Sequence, residues 1–359
     1  MMKARFLCFA VFLGAGLVAT TGSAETLKLS SIGPMAFGPD GVLFISDPME
    51  ATIHAVQLED QAGNAEEAKY EVDDVRAKVA GMLGASAENV VINDLAVSPQ
   101  GGNVYLAVTR GSGDDAASVV VQLTPSGDMS LVDLENAKFT SAKLPNPVDN
   151  EADGRGRNQR MESITDLAFV DGRVFIAGLS NEEFSSKLRA IAYPFNNTDE
   201  GTSVEVFHGA HGRFETRSPV RTFAPYEIEG QAHLLAAYTC TPLVKFPVDE
   251  LKPGDKVRGI TVAELGNRNR PLDMFIYNKD GKDYVLMANS SRGVMKITTE
   301  EIGKQEGITE RISGTAGLTY DTIEELKGVV QLDRLNSKHA VALVQADDGT
   351  ERLQTIALP

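Results

Sequence analysis

The sequence predicts an all-β protein, a six-bladed β-propeller, and three observations lead to this prediction. A hairpin pattern recurs six times, a third apolar strand follows most of the hairpins, and strand-like sequence stands at both ends of the chain after the leader. A small β-unit repeated in this way is typical of propeller blades. Seven blades are the main competitor, and a pair of β-sandwiches is the alternative fold.

The first 24 residues have the pattern of a secretory signal peptide. Lys3 and Arg5 precede an apolar run at 6–18, and the small residues 22–24 offer a cleavage site. The apolar run is shorter than the ~20 residues that a membrane span requires. We therefore expect a signal peptide at 1–24, a single propeller domain at 25–359, a periplasmic or secreted location and no membrane insertion.

Each predicted hairpin consists of a short apolar strand, a turn and a more apolar strand. Turn dipeptides such as Asp171-Gly172 and Asp280-Gly281 supply residues that accept positive φ. The hairpins occupy 35–47, 94–110, 166–180, 221–239, 273–291 and 317–333. Their starts lie 44 to 72 residues apart, which fits blades of roughly 40 to 50 residues with insertions. We expect the strand at 26–32 to pair with C-terminal strands and close the ring, which removes a free edge.

Two insertions interrupt the β pattern. Segment 71–89 has Val72, Val75, Val79 and Met82 at helical spacing, which predicts a short amphipathic helix. Segment 134–163 is polar and contains Pro, Gly and Asn, which predicts a long loop. Long loops on rigid scaffolds often carry function, so we expect this one to contribute to a site.

The charge and cysteine content narrow the classes of partner. A formal net charge of −16 makes nucleic acid and anionic lipid unsuitable partners, because phosphate groups would be repelled.

Outside the leader Cys240 is the only cysteine, so no disulfide can form within the domain. Such a thiol is buried, intermolecular or functional, and the apolar run around Cys240 favours a buried, inert one.

The phrases 35-MAFGPDGVLFISD-47 and 94-DLAVSPQGGNVYLAVTR-110 carry a resemblance to known repeats. Across nearly all of the chain after the leader, the blade pattern resembles β-propeller proteins of the NHL, YVTN and gluconolactonase kind. For the lactonases and esterases among them, the resemblance implies a divalent cation held in the channel by Glu, Asn and Asp, which polarises an ester carbonyl. The sequence departs from that pattern at the first blade, where Pro34 and Met35 stand.

Three aspartates recur at the start of inner strands, and those starts converge on a propeller's central channel. They are Asp94, Asp166 and Asp273. Carboxylate oxygens suit a hard ion, so these residues predict a metal site for Ca²⁺ or another divalent cation; no other cofactor is indicated. Alternatively, the aspartates tie neighbouring blades together through backbone hydrogen bonds.

Histidines and arginines of the segment 207–223 and its neighbour form a second candidate site. The predicted ligand-binding residues are His208, His211, Arg217, Arg221, Arg268 and Arg270. The arginines form either an ion-pair network or a site for a carboxylate or phosphate. The histidines bind ligand, hold a metal with a third ligand from another blade, or belong to a polar loop. If the mouth is functional, we expect both histidines to share one cavity with Arg217, Arg221, Asp166 and Asp273.

Two functions remain open at this stage. The first is an exported propeller that binds a small ligand or a protein partner at its central mouth. The second is a metal-dependent hydrolase of the lactonase or esterase type. The sequence alone does not decide whether the protein is an enzyme, and it leaves the oligomeric state open.

Overall fold

The computed structural model describes residues 26–58, 63–240 and 242–359, which form six β-sheets around a central channel. This arrangement confirms the six-bladed β-propeller. The predicted signal peptide, 1–24, lies outside the described residues.

We number the blades by their order around the ring. Blade 1 contains β1 (Met35–Phe37), β2 (Val42–Asp47), β3 (Thr52–Gln57) and β9 (Lys138–Lys143). Blade 2 contains β10 (Asp166–Val170), β11 (Arg173–Leu179), β12 (Ser186–Ala192), β13 (Thr202–His208), β14 (Arg213–Glu215) and β18 (Lys256–Arg258). Blade 3 contains β15 (Val220–Ile228), β16 (Gln231–Tyr238), β17 (Pro242–Pro247), β19 (Ile260–Leu265) and β23 (Thr315–Gly317).

The remaining blades follow the same scheme. Blade 4 contains β20 (Pro271–Lys279), β21 (Lys282–Asn289), β22 (Gly293–Thr298) and β24 (Tyr320–Ile323). Blade 5 contains β25 (Val329–Arg334), β26 (His339–Gln345), β27 (Glu351–Ala357) and β4 (Glu71–Val72). Blade 6 contains β5 (Val90–Val97), β6 (Val104–Arg110), β7 (Ala117–Leu123) and β8 (Met129–Leu131). The inner strands β1, β10, β15, β20, β25 and β5 contact one another in that order and close the ring.

The chain does not visit the blades in ring order. After β3 it crosses to blade 5, where β4 pairs antiparallel with β27, and it then builds blade 6 before β9 returns to complete blade 1. The ring is thus closed by β4 against the C-terminal β27, with Val72 opposite Leu353. The expectation that 26–32 supplies the closing strand is wrong. The amides of Ser30 and Ser31 donate to the carboxylate of Asp47, so they do not pair with a strand.

The turn chemistry predicted the hairpins well where the turn has two residues. Asp171 and Gly172 take φ values of 49° and 74° between β10 and β11, as a tight turn of the primed type requires. The sixth predicted hairpin, 317–333, is wrong. That segment divides among three blades as the end of β23, β24 and most of β25, and the hairpin of blade 5 is formed by β25 and β26.

Both insertions have structure of their own. Helix α1 (Val75–Met82) is capped by the Asp74 side chain, which accepts from the amide of Ala77. The segment 134–163, expected to be a loop throughout, contains β9 and ends in a short 3₁₀ helix, Arg160–Ser163. The Arg160 guanidinium donates to the carbonyls of Met49 and Val148 and anchors that helix beside the channel.

Apolar side chains fill the spaces between neighbouring blades. Phe44 and Ile176, for example, are fully buried in one cluster that joins blades 1 and 2. Among the described residues, no helix is long and apolar enough to cross a membrane. The rigid blades fix the inner strands, and these strands position the candidate site.

Candidate functional site

Four aspartates of the inner strands tie neighbouring blades together in one direction around the ring. Each carboxylate accepts from a backbone amide of the next blade at 2.7 to 2.9 Å. The pairs are Asp94 with Met35, Asp166 with Phe223, Asp273 with Leu332 and Asp333 with Val97. The structure therefore assigns the three predicted aspartates the structural role that the sequence left open. It adds Asp333, which the misplaced sixth hairpin concealed.

Burial changes the protonation of these four aspartates. Desolvation raises the pKa of Asp166 to about 7 and that of Asp333 to about 6. Burial and the neighbouring carboxylates also raise the pKa of Asp94 and Asp273 well above the ordinary value. In mildly acidic solution the channel therefore holds protonated carboxyl groups, which lowers the negative charge of its wall.

The aspartates do not converge as a compact ligand set. Within the described ranges, one group of three His, Cys, Asp or Glu has ligand atoms within 4.8 Å of one another, and it consists of His208, His211 and Cys240. The prediction that Asp94, Asp166 and Asp273 bind a divalent cation thus gains no geometric support and stays a prediction. One oxygen of each of these carboxylates already accepts a hydrogen bond from an amide of the next blade.

A cavity of about 190 Å³ lies at the end of the channel where the inner strands begin. We call it the amino-end cavity. It is lined by Pro34, Asn93, Asp94, Thr165, Asp166, Arg221, Thr222, Arg270, Pro271, Leu272, Asp273 and Gln331. Two of the predicted arginines, Arg221 and Arg270, therefore share this cavity with all three predicted aspartates.

Backbone irregularity places the arginine of blade 3 at the cavity. The pairing of β15 with β16 shifts register between Val220 and Thr222, so Arg221 sits at a bulge. Bulges re-aim side chains, and here the guanidinium reaches Glu162 at 2.8 Å and the Thr239 hydroxyl at 3.0 Å. The Arg221 side chain is 15% exposed, so its ion pair with Glu162 is partly buried.

Two guanidinium groups line the cavity, and Glu162, which does not line it, forms an ion pair with one of them, that of Arg221. Burial lowers the pKa of Arg270, the positive charge of Arg221 lowers it further, and Glu162 opposes both effects. Arg270 has no ion-pair partner within 4 Å among the described residues. Glu162 precedes the start of β10, and the fold brings it to Arg221 of blade 3.

The remaining predicted residues lie elsewhere. Arg217 and Arg268 are exposed and do not line the amino-end cavity. His208 and His211 do not line it either, so the expectation that one cavity would hold both histidines with Arg221 and the aspartates is wrong. The histidines instead belong to the β13–β14 hairpin, in which the carboxylate of Glu215 contacts both rings.

The histidine hairpin nevertheless adjoins the cavity through blade 3. Cys240 was expected to be buried in a strand, but it is partly exposed in the turn between β16 and β17, with a φ of 61°. Its neighbour Thr239 contacts Arg221, and the Cys240 amide donates to the carbonyl of Asn269, the residue before Arg270. The arginine pair and the histidine–cysteine group therefore occupy neighbouring positions on one face of the propeller.

No protein-family model matches this chain, and no curated protein matches it. The solved structures similar to it include the PQQ-bound aldose sugar dehydrogenase from Streptomyces coelicolor, at 14% identity and a TM-score of 0.39, covering 92% of this chain and 96% of that one. Another is the native arabinanase Arb43A of Bacillus subtilis, at 13% identity and a TM-score of 0.37, covering 75% and 94%. A chain of the mitotic checkpoint complex is similar at 9% identity and a TM-score of 0.38, covering 99% of both.

Similarities of this size leave the function to be argued from the residues of this chain. What the fold itself establishes is the blade pattern: the described residues form a six-bladed β-propeller.

Proposed function

We propose that the protein is an exported propeller that binds a small carboxylate or phosphate compound in the amino-end cavity. The observation that carries this proposal is the arginine pair: Arg221 and Arg270 line one small cavity, and of the two only Arg221 has an ion-paired carboxylate among the described residues, that of Glu162. A second anion would complete the charge balance, and guanidinium groups bind both carboxylate and phosphate through paired hydrogen bonds.

The size and protonation of the cavity agree with a small anion. A volume of about 190 Å³ accommodates a compound of a few non-hydrogen atoms. The raised pKa values of the surrounding aspartates keep the cavity wall close to neutral in mildly acidic solution, so it does not cancel the arginine charge. The leader pattern at 1–24 supports the proposal of export.

Isothermal titration calorimetry at pH 6 and low salt, with succinate and inorganic phosphate as probes, tests this function. We expect Arg270→Ala to weaken binding at least about tenfold, because a charge-assisted hydrogen bond contributes roughly 1.5 to 3 kcal/mol. Arg268→Ala is the matched control, since Arg268 lies two residues away and does not line the cavity.

A charge test separates ligand binding from a purely structural ion pair. In Glu162→Gln the carboxylate no longer competes with the added anion for Arg221, so binding of succinate or phosphate should become stronger. If Glu162 only holds Arg221 in place, the same substitution should weaken that binding. Absence of binding by both probes, or equal effects of Arg270→Ala and Arg268→Ala, would overturn the proposal.

No observation favours the hydrolase alternative over binding. The channel aspartates are engaged by backbone amides, and their oxygens do not form a compact ligand set. A panel of lactones and aryl esters assayed with Ca²⁺ tests this alternative directly. Turnover by the unmodified chain that is lost in Asp166→Asn would favour the hydrolase.

A further inference from the structure

We propose that His208, His211 and Cys240 bind one thiophilic transition-metal ion of the zinc type, with a fourth position open to a non-protein ligand. One ligand atom from each side chain lies within 4.8 Å of the other two. The histidines come from the β13–β14 hairpin of blade 2, and the cysteine comes from the β16–β17 turn of blade 3. The site therefore exists only when the two blades are packed together.

The hairpin holds both imidazoles close to each other. The amides of His211 and Gly212 donate to the carbonyl of His208, and Gly212 takes a φ of 64° that favours glycine. Gly209 approaches Glu264 so closely that a Cβ would lie 2.9 Å from its carboxylate oxygen. The two imidazole centroids are consequently only 3.9 Å apart.

Glu215 fixes which nitrogen of each ring is available. Its carboxylate contacts Nδ1 of His208 at 3.0 Å and Nδ1 of His211 at 2.7 Å. A carboxylate accepts hydrogen bonds, so each Nδ1 in contact with Glu215 donates, and a neutral ring then carries its lone pair on Nε2.

One of these lone pairs is buried without a partner. His208 is 2% exposed, and its Nε2 has no hydrogen-bond partner among the residues that the structure describes. An uncompensated buried polar atom costs free energy, and a metal ion would satisfy it. Carboxylates that hold the second nitrogen of a metal-binding histidine are the usual outer partners of zinc sites, and Glu215 serves two histidines in this way.

The donor set selects the kind of ion. Two imidazoles and one thiolate suit Zn²⁺ or Cu⁺ and suit Ca²⁺ or Mg²⁺ poorly, because the latter prefer oxygen. Zinc sites with three protein ligands keep a fourth position for water or substrate. Bond lengths of ~2.1 Å to nitrogen and ~2.3 Å to sulfur place tetrahedral ligand atoms about 3.5 Å apart, so the group must contract by at most about 1.3 Å. The His211 side chain, 45% exposed, has room to move.

The test titrates the reduced full chain with Zn²⁺ and, as a spectroscopic probe, with Co²⁺. We expect one ion per chain and a thiolate-to-cobalt charge-transfer band. Cys240→Ser should remove the band and the tight binding of Zn²⁺, and His211→Ala should weaken Zn²⁺ binding. Glu215→Gln, a change at a positioning residue, should weaken it roughly 10- to 100-fold. His339→Ala, a histidine of blade 5, is the control and should change neither readout.

A chemical measurement on the unmodified chain covers the case in which a variant fails to fold. Bound Zn²⁺ should slow the alkylation of Cys240 by iodoacetamide, whereas Ca²⁺ should leave the rate unchanged. Mass spectrometry of the peptide that contains Cys240 measures the rate. The proposal is overturned if Zn²⁺ binds below one ion per chain, if Cys240→Ser binds as the unmodified chain does, or if Zn²⁺ leaves alkylation unchanged.

Discussion

At the scale of single residues, the inner-strand aspartates combine a structural contact with unusual protonation. Asp166 accepts from the amides of Leu167 and Phe223, and its burial raises its pKa to about 7. The free energy of unfolding therefore depends on pH through this carboxyl group. Below about pH 4, folded and unfolded chains both hold the proton, whereas between about pH 4 and pH 7 only the folded chain does.

We expect the contribution of Asp166 to stability to fall as pH rises through this window, because the unfolded chain binds fewer protons. The loss should amount to a few kcal/mol at most, at about 1.4 kcal/mol for each unit of pKa shift. Urea unfolding at pH 4.5 and pH 7.5 measures it. Relative to the unmodified chain, Asp166→Asn should gain stability at the higher pH.

Asp171→Asn is the control for that experiment, since Asp171 lies in the exposed turn of the same hairpin. Equal pH dependence of the unmodified chain and Asp166→Asn would show that Asp166 does not keep its proton in the folded chain.

At the scale of elements, one short helix depends on a glycine in a neighbouring strand. A Cβ on Gly178 of β11 would lie 2.1 Å from the carbonyl oxygen of Ser163, the last residue of the 3₁₀ helix Arg160–Ser163. This close approach sets where Glu162 stands beside Arg221. The length of 134–163 and its polar character did not reveal this contact, because it joins two segments through tertiary packing.

We expect Gly178→Ala to destabilise the protein by about 1 to 3 kcal/mol, because a backbone carbonyl cannot move aside as a flexible side chain can. Thermal unfolding measures the change. Gly81→Ala in α1 is the matched control: a Cβ there meets nothing within 4 Å, so the substitution should be neutral or stabilise by up to about 1 kcal/mol. Similar melting temperatures for the two variants would contradict the packing argument.

At the scale of the whole molecule, two strands join blades that are not consecutive in sequence and so hold the ring together. β4 completes blade 5, and β9 returns across blade 6 to complete blade 1. Contacts between residues far apart in sequence, such as Tyr70 with Thr355, join the two ends of the chain. We therefore expect the ring to unfold as one cooperative unit.

Leu353→Ala tests this cooperativity. Leu353 is fully buried on β27 opposite Val72 of the closing strand, so truncation should cost about 2 to 5 kcal/mol. Strand content by circular dichroism and near-ultraviolet tertiary signal should then fall together at one lower melting temperature. Two separate transitions would mean that blade 5 unfolds independently and that the closure is weaker than its contacts indicate.

The sequence by itself determined the repeating unit. Alternating apolar residues and Asp-Gly turns encode hairpins through local backbone preferences, so five of the six hairpins, the third strands and a helix within 71–89 could be predicted. It also predicted Arg221 and Arg270 at a common mouth, because inner-strand starts converge in any propeller. The sixth hairpin failed because 317–333 supplies strands to three blades.

Only the tertiary structure decided the order of the blades and the partners of the polar side chains. β4 rather than 26–32 pairs with β27, and Asp47 accepts from the amides of Ser30 and Ser31. The meeting of Cys240 with His208 and His211 depends on the packing of blade 2 against blade 3. Such contacts are set by how sheets fit against each other, and no local pattern of residues records that fit.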